Sequence, residues 1–386
     1  MTVEKIPAGP AYPTPWQGSP PAAFAGAVRL LEPQVHEDLV VVPLAFARDR
    51  GPRYVTLAEA LRVGSLHITE VSEGGSVPTL RAINQGTLGV LILDGEELVG
   101  AKQNRVLNTS VFVRAKSSLD VPVSCVEAGR WHYQGREFHD EEFVVHATVR
   151  RAVRESVSMS LCASAGHRSD QGRVWDEVEA LQSFADERSH TSAHRDVYLQ
   201  RAHDIAGYLE AFPLQPRQHG LLVLRGGEAV GLDFVSRAAC YAGLHDKLLR
   251  SYAFEAVTRG MAGGGGAGGR VGGSAPGGRM GAGAPGGPAG RRVPGQKAIL
   301  ARASAFLQAI AESSARGFKS PGRGWDVRYA GEGVSGSALV VRGVAVHGAF
   351  FALNEQTASG ADRGHARPSG RMAGFERRRG YHRPLA

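Results

Sequence analysis

Three apolar stretches of this chain each reverse within two residues, and nothing else in the sequence limits the fold as strongly. They are GVLILDGEELVG at 89–100, GLLVLRGGEAVG at 220–231 and ALVVRGVAVHG at 338–348. The first two align without a gap, and in the third Gly343 and Gly348 match Gly226 and Gly231. Asp94-Gly95 between apolar runs is a type I′ turn signal, so the strand after Gly95 is expected to return antiparallel beside 90–93. Tight reversals build antiparallel sheets, whereas parallel strands need crossovers of a dozen or more residues. The expectation is an α+β fold of antiparallel hairpin sheets covered by helices, with a doubly wound parallel sheet disfavoured. The recurrence also predicts that Glu97 and Glu228 occupy equivalent places. It sets Asp233, on the continuation of the second hairpin, near the site, with a capped strand end as the plainer reading.

The return strand of the first hairpin carries Glu96, Glu97, Lys102, Gln103, Asn104 and Arg105 within ten positions. Successive side chains on a strand point to opposite faces, so polar groups are expected on both faces and the strand outside a sheet interior. Two readings follow. One is an edge strand blunted by charge against pairing with other chains. The other is a pocket wall: Lys102 and Arg105 supply cationic donors to phosphate or carboxylate, and Gln103, Asn104 and Asn108 supply amides for a base or sugar. Glu96 and Glu97 are either exposed turn residues or acid–base groups. The polar stretch closes on Glu127, a further acid–base candidate, with Arg130 and Trp131 as ligand contacts.

The segments GEELVGAKQNRVLN and VPVSCVEAGRW resemble the hallmark stretches of the ARG and Rhodanese-Phosphatase-superfamily-associated Protein domain, where ARG stands for ADP-ribosylglycohydrolase. Gln171-Gly172 with Val174-Trp175, and GLLVLRGGEAVGLDF at 220–234, extend the resemblance over roughly 28–353. It implies a genomic context of enzymes acting on ADP-ribose and related nucleotides, and no established reaction. The expected ligand is a small phosphorylated or nucleotide-like metabolite, with ADP-ribose-processing enzymes as functional partners. Two classes stay open: an enzyme acting on an ADP-ribose-like or other phosphorylated nucleotide sugar, or a non-catalytic ligand-sensing or protein-interaction module. The sequence specifies no cofactor.

Composition matters chiefly through where the charge lies. The 386 residues carry a net +8, but 262–295 hold +4 and 362–386 hold +5, which leaves the rest at −1. The basicity belongs to appendages and does not argue for specific nucleic-acid binding. The 262–295 segment has 16 Gly and 4 Pro in 34 positions and is expected to be a flexible insertion. Residues 1–27 are expected to form a disordered lead and 354–386 an Arg-rich disordered tail, with 28–353 as the folded domain. Gly95-x-x-x-x-Gly100-Ala-Lys102 misplaces the lysine of a phosphate loop. Three widely spaced cysteines fit neither a disulfide framework nor a zinc site. With no apolar run long enough to span a membrane, a cytoplasmic protein is expected. Apolar spacing predicts helices near 150–161, 174–188, 195–212, 245–259 and 296–315. Thr56-x-x-Glu59 predicts a capped short helix, and 39–46 and 143–149 are expected to be strands.

Overall fold

The computed structural model describes residues 27–71, 78–126, 135, 137–184, 201–262 and 294–353. The N-terminal lead up to residue 26, residues 185–200 of the two helices expected at 174–188 and 195–212, most of the 262–295 insertion, the tail beyond Leu353, and Glu127, Arg130 and Trp131 lie outside the described residues.

In chain order come β1 (Val28–Leu30), β2 (Gln34–His36), β3 (Leu39–Phe46), β4 (Tyr54–Thr56), α1 (Leu57–Arg62), β5 (Leu66–Glu70) and β6 (Thr79–Asn84). Then β7 (Gly89–Ile92), β8 (Glu96–Gly100), β9 (Arg105–Leu107), β10 (Val111–Val113), β11 (Ser117–Cys125) and β12 (Phe138–Val144) lead into α2 (Ala147–Cys162), α3 (Gln171–Phe184) and α4 (Ala202–Ala211). The last third holds β13 (Gly220–Arg225), β14 (Glu228–Val235), α5 (Ala238–Ala242), α6 (His245–Ala262) and α7 (Gln296–Glu312). It ends in β15 (Ser314–Lys319), β16 (Trp325–Gly331), β17 (Val334–Val341) and β18 (Val344–Ala352).

The fold is α+β, and its pairing is antiparallel almost throughout, as two-residue reversals require. Nine strands form one sheet in the order β1-β3-β13-β14-β18-β17-β16-β15, with β2 also on β3. Six form a second, β12-β8-β9-β11-β6-β5, and three a third, β10-β7-β4. β4 and β7 are the one parallel pair among the described strands.

β3 shows why its sequence is an unbroken apolar run. Leu39 and Val41 join the core beneath α6, while Val40, Val42 and Leu44 join the core beneath α7. Helices cover both faces, so neither face can be polar. α7 buries Ile299, Ala303, Phe306, Leu307 and Ile310 along one stripe, each large side chain contributing about 1.5–3 kcal/mol. It stops at Glu312, short of the expected 315, because 314–319 pairs with β16. The expected capping box forms: the Thr56 amide donates to Glu59 Oε2 at 2.8 Å, and the Glu59 amide to Thr56 Oγ1 at 3.3 Å. The strand expected at 143–149 ends at Val144, and α2 begins at Ala147.

Two of the three expected hairpins form, and the first does not. β13 and β14 join through Gly226 and Gly227 (φ 56° and 86°), and β17 and β18 through Arg342 and Gly343 (φ 53° and 75°). Positive φ at both central positions is what a type I′ turn needs. In Asp94-Gly95 only Gly95 has a positive φ, 83°, and β7 and β8 part into different sheets. Other segments take the hydrogen bonds of this corner. Gly95 N donates to Leu107 O (2.9 Å), Val145 N donates to Gly95 O (2.9 Å), and Asp94 N donates to Ser110 Oγ (2.9 Å). The equivalence of Glu97 and Glu228 fails with the hairpin: Glu97 is buried, while Glu228 is exposed and pairs with Arg302.

A Cβ at Gly95 would stand 2.7 Å from Arg150 Cγ, whereas one at Gly343 would meet nothing within 4 Å. Gly343→Ala should therefore cost only the left-handed strain of about 1–2 kcal/mol. Gly95→Ala adds displacement of a buried arginine and should cost at least about 1 kcal/mol more. Urea unfolding midpoints of the two variants measure the difference.

Candidate functional site

The polar run 96–108 lies inside the protein, contrary to the expectation that a sheet interior would exclude it. Every residue of β8 is buried, and so are Gln103, Asn104, Arg105 and Asn108. Lys102 is half-buried. Buried charge is tolerated when it is paired and hydrogen-bonded, and the partners come from distant segments.

Lys247 Nζ on α6 donates to Glu96 Oε1 at 2.6 Å and to Asp140 Oδ1 at 2.8 Å, and the Leu93 amide donates to Glu96 Oε2 at 2.7 Å. One ammonium thus serves two carboxylates. Burial pushes the Glu96 carboxyl above its ordinary range, and Asp140 adds to this against the pull of Lys247. For Lys247, burial opposes the charge, but Glu96 and Asp140 outweigh it and hold the ammonium above its ordinary value.

Glu97 Oε1 accepts a long bond of 3.4 Å from Asn104 Nδ2. Arg105 Nη1 donates to Gln103 Oε1 at 2.8 Å and contacts Cys125 Sγ, while Nη2 lies 3.7 Å from Glu70 Oε1. Asn108 Oδ1 accepts from Ser124 Oγ at 2.6 Å, and its Nδ2 donates to the His167 carbonyl at 3.2 Å. Gln171 continues β11 as a strand would. Its Oε1 accepts the Cys125 amide at 2.7 Å and its Nε2 donates to the Cys125 carbonyl at 2.8 Å. These contacts bring the amide and arginine part of the expected site together at β8, β9 and β11. Asp233 stands apart from it on β14.

Asp233 belongs to a charged centre that sequence reasoning missed. Arg150 on α2 grips it with both ends of its fork, Nη1 to Oδ2 at 2.9 Å and Nη2 to Oδ1 at 2.6 Å, and Tyr252 Oη donates to Oδ2 at 2.6 Å. Arg150 Nη2 also lies 3.8 Å from Asp94 Oδ2, and Arg154 binds the same oxygen. The two guanidinium carbons stand 5.3 and 4.6 Å from the Phe351 ring centroid, a cation–π stack on both. Beyond them Arg328 Nη2 donates to Asp326 Oδ2 at 2.6 Å and to Thr109 Oγ1 at 2.9 Å, and His167 Nε2 lies 3.1 Å from Asp326. Burial would raise the carboxyls of Asp94, Asp233 and Asp326, but the arginines prevail: Asp94 and Asp233 sit well below the usual range and Asp326 falls to about 2. Arg150 and Arg154 were detectable in the sequence, four apart on a helix whose other buried positions are mostly apolar.

Ser110, His347 and Asp233 lie in a row, with Ser110 Oγ 2.7 Å from His347 Nδ1 and His347 Nε2 3.7 Å from Asp233 Oδ1. The composition is that of an activated nucleophile. Ser110 Oγ, however, donates to Asp94 Oδ1 at 2.8 Å and accepts the Asp94 amide, and all four residues are buried. The row works as a connector between sheets. Among the described residues no group of three or more His, Cys, Asp or Glu could hold a metal ion.

The family model of the ARG and Rhodanese-Phosphatase-superfamily-associated Protein domain matches residues 27–351, and the chain belongs to that family. No curated protein and no solved structure matches the chain.

Lys247→Met would leave Glu96 and Asp140 buried together without a cation, at a cost of about 3–5 kcal/mol near pH 7. Because burial already raises the Glu96 carboxyl, its protonation should shrink that cost as pH falls. Denaturant titrations near pH 7 and at lower pH check this. Asp94, Asp233 and Asp326 act oppositely in the wild type. Their folded values are depressed, so their stabilisation is complete above the unfolded value of about 3.9 and drains away as pH falls towards 2. Asp233→Asn should flatten that acid limb in a series of unfolding curves.

Proposed function

We propose that this family member recognises an ADP-ribose-like or other phosphorylated nucleotide-sugar metabolite, and that it binds the ligand without using the hallmark carboxylates for acid–base chemistry. The family's name, which ties the domain to ADP-ribosylglycohydrolase and rhodanese-phosphatase proteins, supports the ligand class. The observation that carries binding over catalysis is the state of Glu96, one of the three expected acid–base groups, and of Asp233, expected as a ligand contact. Glu96 is held by Lys247 and a backbone amide, and Asp233 by Arg150 and Tyr252. A general acid or base must come within about 2.6–3.2 Å of a substrate proton, and these groups already spend their lone pairs inside the fold. The hallmark stretch then serves as the frame of the domain, and its sensing role would be relayed to the enzymes it accompanies.

A catalytic reading draws on one arrangement, Ser110–His347–Asp233. It requires product to form from a nucleotide sugar and to disappear with Ser110→Ala.

No helix among the described residues is long and apolar enough to cross a membrane. None of the three cysteines is in a disulfide, in keeping with a reducing, cytoplasmic compartment.

Incubation of the full chain with ADP-ribose, ADP, AMP and a nucleoside diphosphate sugar tests the reading, with melting and product analysis run side by side. At a hundredfold excess over Kd, binding adds about 2.7 kcal/mol, which for a domain of this size raises Tm by about 5 °C. A shift of that order without product is the expected result. No shift with any of the four would overturn it.

A further inference from the structure

Away from the charged centre, four arginines surround one cleft of about 210 Å³. Arg53 enters from the residue before β4, Arg114 from the end of β10, Arg323 from the β15–β16 loop and Arg342 from the β17–β18 turn. Phe112 and Val341 form apolar parts of the wall. The four side chains are exposed, and no guanidinium among them has a hydrogen-bond or ion-pair partner among the described residues. Exposed arginines elsewhere are of both kinds: Arg81 pairs with Asp120 and Arg302 with Glu228, while Arg48, Arg62 and Arg168 have no such partner among the described residues, so what sets the four apart is their convergence on one cleft. Among the described residues no acidic side chain lines the cleft.

The backbone fixes where two of these arginines stand. Arg342 has a φ of 53°, the left-handed region where a glycine or asparagine would be the ordinary choice. Arg323 is fixed by its own amide, which donates to Phe112 O at 2.9 Å. The following Gly324, at φ 111°, has no room for a Cβ, which would fall 2.2 Å from Val340 O. The loop bearing Arg323 is therefore pressed onto the strands bearing Arg114 and Arg342. Four like charges brought together repel, and an anion between them converts repulsion into bidentate hydrogen bonding.

We propose that this cleft is an anion site that takes the pyrophosphate or phosphate head of a phosphorylated small molecule, recognised by charge and not by its base. The size sets the limit. Pockets that enclose a whole drug-sized ligand run to about 300–1,000 Å³. At about 210 Å³ the cleft holds a head group and leaves the sugar and base in solvent. The guanidinium fork binds phosphate oxygens in pairs, and four cations around one cleft match the multiple negative charge of a phosphate or pyrophosphate better than the single charge of a carboxylate. The assignment rests on the ligand class proposed above and supplies its location.

Calorimetric titration of pyrophosphate, orthophosphate, ADP-ribose and adenosine into the full chain tests it, with wild type compared with Arg323→Gln/Arg342→Gln and with Arg302→Gln as control. The substituted side chains are exposed, so unchanged melting curves establish folding. The Arg-rich tail is present in every variant, and any background it adds cancels. The expected order is pyrophosphate and ADP-ribose above orthophosphate, with adenosine silent and the first two competing. The double variant should lose at least tenfold in affinity for both, and Arg302→Gln should lose nothing. Equal pyrophosphate affinity in wild type and double variant overturns the site. ADP-ribose binding that survives the double variant overturns the site and leaves the proposed function standing. Pyrophosphate binding that the double variant abolishes, with no nucleotide sugar bound, upholds the site and removes the proposed function. Displacement of pyrophosphate by a single-stranded oligonucleotide at lower concentration than ADP-ribose overturns the small-molecule assignment.

Discussion

Arg150 is the residue on which the arrangement of the sheets turns. Its guanidinium reaches Asp233 on β14 of the nine-stranded sheet and Asp94 at the corner between β7 and β8, so one planar group ties all three sheets to α2. A buried pair of this kind contributes little net stability over a well-packed apolar substitute, yet breaking it on one side leaves an uncompensated charge. Its value lies in discrimination. Any packing that moves α2 by a turn, or closes β7 against β8, strands Asp94, Asp233 and two arginines without partners.

That constraint explains why some of the fold was legible in the sequence and some was not. The capping box at Thr56 and the apolar run of β3 depend on residues within a few positions of one another, and both stand where the pattern places them. The turn residues of the two late hairpins, Gly226-Gly227 and Arg342-Gly343, adopt the positive φ that a tight reversal needs, and both hairpins form. Asp94-Gly95 has equally good local chemistry, but Ser110, Arg150 and Arg154 compete for it, and no window around residue 94 contains them. Long-range hydrogen bonds overrode a local turn preference.

The same reasoning accounts for the candidate site. Glu96 reads as an exposed turn residue or an acid–base group because it follows the Asp94-Gly95 turn, and its partner Lys247 is 151 residues away. Gln103, Asn104, Arg105 and Asn108 do gather at β8, β9 and β11, but their hydrogen bonds run to groups of the protein: Arg105 to Gln103, Asn104 to Glu97, and Asn108 to Ser124 and the His167 carbonyl. Polar density in a sequence signals hydrogen-bonding demand, and a fold can meet that demand internally as well as with a ligand. The cleft arginines sent no comparable signal. They come singly from four loops and turns spread over 290 residues, and only the tertiary structure gathers them.

The strand order of the large sheet also bears on how the chain is made. Six of the eight residues of β3, Leu39 to Leu44, pair with β13, whose residues emerge from the ribosome about 180 positions later. At roughly 5–20 residues per second, β3 waits on the order of 10–40 s for its partner. During that time β1 and β2 protect one of its edges, and the other presents eight consecutive residues, all buried in the finished fold. A nascent chain with such an uncovered apolar edge is a natural client for chaperones, and its yield in a cell depends on how quickly residues 220–225 arrive.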